Sequence, residues 1–244
     1  YEHIDTANAY MNERAVGRAI AKSGVARNRV SVSTKLWPSV YEAGMPAVDA
    51  TLARLGLDYV DMLILHQPVG DYLAAWRTME EAYRAGKVRA LGLSNFPQDK
   101  IAEVIEASEV KPQLVTVECH PYHAQCDLRA YLAPYDTVIE AWYPLGHGDK
   151  GLLEEPVFVA LAEKYGKTPA QVILRWHVQM GTSIIPGSKN PAHIADNADI
   201  FDFALTDDEM ACIAQLDGTK SYYEQTDEAL AGYLKIRPDF DAQE

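Results

Sequence analysis

The feature that most constrains the fold is a repeat of short apolar runs, each followed by a longer stretch with helical periodicity. The runs are His3–Thr6, Val30–Leu36, Val60–His66, Val88–Ser94, Leu114–Cys119, Thr137–Tyr143 and Ser183–Pro186. Their starts lie 23 to 30 residues apart until the last gap, which widens to 46. A strand, a helix and two short loops need about that spacing. Between the runs, Tyr72, Trp76, Met79 and Tyr83 recur at i, i+4, i+7 and i+11, which places them on one helical face. Val48, Leu52 and Leu55 form a similar stripe, as do Ile101, Val104 and Ile105. Thr168-Pro169 reads as a cap followed by proline in the first turn, with Val172, Trp176 and Met180 as the buried stripe of that helix. The wide last gap holds two helical patterns, around Val157–Tyr165 and Pro169–Met180.

Strands alternating with helices imply an α/β fold with a parallel sheet covered on both faces. An open doubly wound sheet for dinucleotides predicts Gly-x-Gly-x-x-Gly after its first strand, and no such fingerprint is expected anywhere in the sequence. Seven evenly spaced units favour a (β/α)8 TIM barrel, with one unit expected to be missing at the N-terminus, where the chain opens in mid-strand. One barrel domain over residues 1–244 is expected, with a tail from about 218 where the pattern fades.

Composition narrows the function. A formal net charge of −13 opposes general affinity for nucleic acid or anionic membranes. No apolar run approaches the ~20 residues of a membrane span. Three cysteines do not make a disulfide framework in 244 residues, so a reducing cytoplasm is the expected compartment. Cys119, His120, His123 and Cys126 cluster, but the spacing is not that of a known finger, and no metal is expected.

Polar residues stand at the C-terminal ends of the runs, where a barrel places its active site. Asp5 ends the first and Tyr10 follows it; Lys35 ends the second and His66 the third. Ser94-Asn95, Glu118-Cys119-His120 and Trp142-Tyr143 end the next three. A buried strand carries Lys or His only with a partner, because an unpaired buried charge is costly. A phenol of pKa ~10 is a poor acid near neutrality. An adjacent ammonium stabilises the phenolate and makes the phenol a better proton donor. Lys35 can supply that charge, Asp5 can hold Lys35, and His66 can orient a substrate oxygen. Each residue alone has an ordinary structural explanation: an ion pair, a core histidine, a loop aromatic. Their joint appearance at successive strand ends points to proton delivery to a carbonyl. No side chain provides hydride, so a nicotinamide is implied.

His-Ile-Asp-Thr-Ala-x-x-Tyr (3–10), Ser-Thr-Lys-Leu-Trp (33–37), Leu-Ser-Asn-Phe (93–96), Glu-Cys-His-Pro-Tyr (118–122) and Pro-Leu-Gly (144–146) resemble the signatures of aldo-keto reductases, in that family's order. The sequence most resembles the bacterial members of 2,5-diketo-gluconate reductase type. The resemblance implies a (β/α)8 barrel that reduces aldehydes and ketones with NADPH. It implies Tyr10 as proton donor, Lys35 and Asp5 as its tuning pair, and His66 as orienting residue. Ser94 and Asn95 would hold the nicotinamide carboxamide and Trp142 would stack on the ring. Leu145, Ser188, Lys189, His193 and Asn197 fall in the remaining cofactor segments, and Trp37, His66 and His120 would line the substrate pocket. The family is often monomeric, so a monomer acting on a small carbonyl substrate is expected.

Departures from the family pattern bear on the cofactor. Thr116 stands where a glutamine commonly contacts the carboxamide. The phosphate segment reads Pro186-Gly187-Ser188-Lys189, lacking lysine at position 187, and His193 replaces an arginine. Arginine grips phosphate with two parallel hydrogen bonds, which histidine does not. NADPH is the first expectation, with NADH as the alternative. Two other readings compete. A nucleotide-binding regulatory barrel needs no proton donor, and a short-chain dehydrogenase needs Tyr-x-x-x-Lys on one helix, whereas Tyr10 and Lys35 lie 25 positions apart.

Overall fold

Burial on both faces accounts for the apolar character of the central strands: residues 32–36 and 63–65 are all enclosed. The computed structural model describes residues 1–243, in two compact units. The first comprises residues 1–115 and the C-terminal segment from Gln225; the second is Thr116–Glu224.

In the first unit, β1 (His3–Asp5), β2 (Ser31–Leu36), β3 (Met62–Leu65) and β4 (Leu91–Ser94) pair in parallel and in chain order. Asp5 lies opposite Ser33, Lys35 opposite Ile64 and Leu65 opposite Leu93. The crossovers are α1 (Glu13–Ser23), α2 (Met45–Leu55) and α3 (Tyr72–Arg84), and α4 (Gln98–Ala107) follows β4. The predicted stripes face inward, with Met79, Ile101 and Val104 at 0% exposure. A fully buried side chain of this kind contributes roughly 1.5–3 kcal/mol, so each stripe holds its helix against the sheet.

The observed strands are shorter than the apolar runs at one or both ends. Val60 and Val88 form an isolated bridge outside β3 and β4. Between Val60 and β3, the Asp61 carboxylate accepts from Arg27, Arg89 and the backbone of Val32, which interrupts the ladder. The tail is more ordered than its composition suggests. Thr226 caps a helix over Asp227–Lys235 that has no fully buried residue, so its stripe is weak in the sequence. Beyond it, Phe240 is buried under the Arg54 guanidinium, which pairs with buried Glu13 at 2.6 Å.

The second unit contains β5 (Leu114–Glu118, its first two residues in the first unit), β6 (Val138–Trp142) and β7 (Ser183–Ile184), with β6 parallel to β7. Its helices are α5 (Cys126–Leu132), α6 (Lys150–Leu153), α7 (Pro156–Tyr165), α8 (Pro169–Gln179), α9 (Pro191–Ala198) and α10 (Asp207–Ala214). The Thr168 cap forms a reciprocal box with Gln171, and Thr206 does the same with Glu209. Phe158, Leu161, Val172, Ile173 and Trp176 make the core of this unit. No helix among the described residues is long and apolar enough to cross a membrane.

Candidate active site

In the first unit the structure brings Asp5, Tyr10, Lys35 and His66 together. Lys35 is 1% exposed, and its ammonium donates to Asp5 Oδ1 at 2.6 Å, Oδ2 at 2.5 Å and the Thr6 carbonyl at 3.1 Å. Ser33 adds a 2.7 Å donation to Asp5 Oδ1. A charge so far from water persists only when its protons are taken up, and here they are. Tyr10 ends a short 3-10 turn (Asn8–Tyr10) that closes with Met11 in the left-handed region. The turn lifts Tyr10 to 49% exposure with its ring centroid 5.1 Å from Lys35 Nζ.

His66 follows β3 and packs edge-on to Tyr10 at 5.6 Å and to Trp37 at 5.1 Å. Burial, with the Lys35 charge adding to it, pushes its pKa down to about 3. The imidazole is neutral at physiological pH and carries one donor and one acceptor nitrogen. Buried Nδ1 has no hydrogen-bond partner among the described residues. The next residue is fixed by Tyr41, whose hydroxyl donates to the Gln67 carbonyl and accepts from the Gln67 N–H.

Trp37, expected at the substrate, offers its ring rather than its N–H. The indole N–H donates to the Ile236 carbonyl at 3.0 Å, and Tyr233 stands edge-on at 5.5 Å. Ser94 is buried at the end of β4. Asn95 takes φ +61°, which asparagine tolerates, and its carbonyl accepts from Gln225 Nε2 at 2.7 Å.

In the second unit, the Thr116 hydroxyl donates to buried Glu140 at 3.0 Å. His120, expected in the pocket, is 0% exposed with Nε2 2.9 Å from Glu118. Cys119 turns its thiol to the Ala124 carbonyl, and burial pushes that thiol up to about 12. Trp142 is half-buried, with the rings of Tyr143 and Tyr223 near-perpendicular to it at 4.4 and 5.4 Å. Leu145 packs on the core of the unit. Contrary to the expectation that no Gly-x-Gly-x-x-Gly occurs, Gly146 to Gly151 has that spacing, but it follows β6 and runs into four-residue α6, not into the long helix of a dinucleotide fingerprint. Ser188 accepts from the Asn190 N–H just before α9; Lys189 and His193 are exposed and Asn197 is buried.

Sequence reasoning missed His177. Fully buried on α8, it hydrogen-bonds through Nε2 to the Pro144 carbonyl at 3.1 Å, and burial lowers its pKa to about 3. Its position in an otherwise apolar stripe was the available signal. Both depressed histidines bind protons in the unfolded chain below pH ~6.5 but stay neutral when folded until about 3. Stability therefore falls as pH drops through that window, by up to ~1.4 kcal/mol per pH unit for each histidine. Urea unfolding at pH 7.5 and pH 5 is expected to show this loss. His177→Gln, which keeps a donor for Pro144, should show a smaller difference; an equal one would remove His177 as a cause.

Parallel β/α units thus carry an Asp–Lys–Tyr–His group at their strand ends. The sequence pattern of the Aldo/keto reductase family matches residues 1–218, and the chain belongs to that family. Its fold class is accordingly α/β of the TIM-barrel type. Morphine 6-dehydrogenase of Pseudomonas putida is 45% identical over 89% of this chain and 79% of its own length. Methylglyoxal reductase DkgA of Escherichia coli is 39% identical, over 90% and 81%. A Bombyx mori aldo-keto reductase solved in complex with NADP superposes with TM-score 0.84 at 33% identity, covering 92% of this chain and 81% of that one.

Proposed function

We propose that this chain reduces aldehydes and ketones to alcohols with a nicotinamide dinucleotide, Tyr10 delivering the proton. The observation that carries this reading is the Lys35 ammonium, clasped by Asp5 and 5.1 Å from the Tyr10 ring. A phenol that gives up its proton needs compensation for the charge left behind, and a desolvated, fixed ammonium supplies it without rearranging. Asp5 holds Lys35 charged and aimed. Neutral His66 beside Tyr10 can donate one hydrogen bond to a carbonyl oxygen and fix its direction.

Several features fit the dinucleotide. Trp142 presents a half-buried ring in contact with two near-perpendicular tyrosine rings, and a flat indole is suited to stacking a flat heterocycle. Lys189 has no ion-pair partner among the described residues and precedes the N-terminus of α9, where positive potential favours phosphate. Ser94 and Asn95 are assigned to the carboxamide, and Leu145, Ser188, His193 and Asn197 to the rest of the dinucleotide. Thr116 would contribute little while it serves Glu140. Bound there, the dinucleotide supplies the hydride.

NADPH is the favoured form, although Gly187 and His193 weaken the grip on its extra phosphate. A side chain at Gly187 would meet nothing within 4 Å, and no left-handed φ demands glycine there. Gly187→Lys is therefore expected to lower KM for NADPH roughly five- to tenfold by adding one cation, with KM for NADH unchanged. Equal changes for both cofactors would remove phosphate recognition from this segment.

The substrate class proposed is small or polar carbonyl compounds, met by Tyr10, His66 and the ring of Trp37. A cytoplasmic monomer that does not bind nucleic acid fits this role. The test is oxidation of NADPH and NADH against a panel of aldehydes, ketones and diketones. Turnover across several small carbonyls is expected; dinucleotide binding without turnover would instead favour a regulatory barrel.

A further inference from the structure

Glu118, the last residue of β5, makes more polar contacts than any role assigned so far requires. Oε1 accepts from the Tyr222 N–H at 2.6 Å and lies 2.9 Å from His120 Nε2. Oε2 accepts from the Tyr223 N–H at 3.0 Å and the Ser221 hydroxyl at 2.9 Å. These donors outweigh burial and bring the carboxyl to about 2, so it stays ionised and the grip persists at any physiological pH. The gripped turn is also tied at a second point, where Lys220 Nζ and the Tyr222 hydroxyl both donate to Asp149 Oδ2, at 2.5 and 2.8 Å.

The turn so fixed carries the Tyr223 ring, which stands 5.4 Å from Trp142 at an interplanar angle of 79°. Tyr143 meets Trp142 at 4.4 Å and 80°. Tyr143 is the chain neighbour of Trp142 and moves with it. Tyr223 comes from 81 residues away and reaches Trp142 from the turn that Glu118 grips. Removing the Tyr223 ring takes away one of the ring contacts that restrain the half-buried indole to a single orientation.

We propose that Glu118 is a positioning residue for the Trp142 ring, acting through the Ser221–Tyr223 turn and the Tyr223 edge. The inference rests on the reading that Trp142 stacks on the nicotinamide. Binding then requires the ring in one orientation, and apparent affinity falls in proportion to the fraction of molecules that hold it. The effect belongs to cofactor affinity, while Tyr10, Lys35 and Asp5 are untouched and kcat at saturating dinucleotide stays close to wild type.

The experiment titrates NADPH and NADP+ by calorimetry into wild type, Glu118→Gln, Tyr223→Ala, Tyr223→Phe and Trp142→Ala. Near-UV circular dichroism of each ligand-free protein reports the order of the aromatic pair. Thermal unfolding identifies variants that fail to fold. Glu118→Gln and Tyr223→Ala are expected to raise Kd about three- to tenfold and to lose part of the near-UV signal. Tyr223→Phe, which keeps the ring, should recover most of both. Unchanged Kd in a folded Glu118→Gln overturns this inference. If Glu118→Gln does not fold, Ser221→Ala, which removes one donor to Oε2, takes its place and should raise Kd in the same direction. Unchanged Kd in Tyr223→Ala beside a raised Kd in Trp142→Ala overturns this inference and leaves the stacking reading intact. Unchanged Kd in Trp142→Ala overturns the stacking reading, and this inference with it.

Discussion

Tyr10→Phe is expected to lower kcat for carbonyl reduction by roughly 10²–10⁴-fold, the usual worth of a positioned general acid. The corresponding barrier increase is about 3–5 kcal/mol. The substitution removes one oxygen and keeps the ring. The edge contact to His66 and the face presented to Lys35 are both contacts of the ring and should survive. The side chain is 49% exposed, so no packed cavity is created and the thermal midpoint should move little. Dinucleotide binding should likewise be retained, because Tyr10 is not among the residues assigned to the cofactor. Steady-state turnover together with calorimetric binding makes the check. A Tyr10→Phe protein that reduces carbonyls as fast as wild type would remove Tyr10 as the donor.

The second large effect is on stability. In an open helix, Gly→Ala stabilises by about 1 kcal/mol. Gly17 lies in α1 where a Cβ would sit 2.0 Å from the Leu55 carbonyl oxygen and 2.7 Å from its carbon, at the end of α2. The obstacle is backbone, which no rotamer can clear, so the two helices must separate. Gly17→Ala is expected to cost about 3 kcal/mol or more, the upper range for overpacking. A domain of this size would lose roughly 6–12 °C in Tm at 2–4 °C per kcal/mol. Gly232, in the C-terminal helix, is the control: a Cβ there would meet nothing within 4 Å. Gly232→Ala should be neutral or stabilising by up to ~1 kcal/mol. Matching midpoints for the two variants would refute the close-approach argument.

The seven apolar runs each became a strand, and the long stripes became α2, α3, α4, α7 and α8. These were legible because burial on both faces of a strand and on one face of a helix imposes a local period. Strand ends were less legible. Val60 and Val88 carry the residue type of a strand, yet Asp61 and its arginine partners interrupt the ladder beside Val60. The short helix over Asp227–Lys235 has no buried residue and so left no clear stripe.

The sequence by itself determined the repeat that specifies parallel β/α units and the position of Asp5, Lys35 and His66 at successive strand ends. It also determined the motifs that place the chain among aldo-keto reductases. The tertiary structure alone decided how the polar atoms are satisfied. Trp37 gives its N–H to Ile236, 199 residues away, and Thr116 gives its hydroxyl to Glu140. Glu118 takes its donors from residues 103 to 105 positions on. The Glu-Cys-His-Pro-Tyr segment was recognisable at once, but the task of its glutamate was not. Hydrophobic periodicity is a local property with one solution per segment. A buried carboxylate accepts from whichever donors the folded chain brings to it, and no spacing along the sequence encodes that meeting.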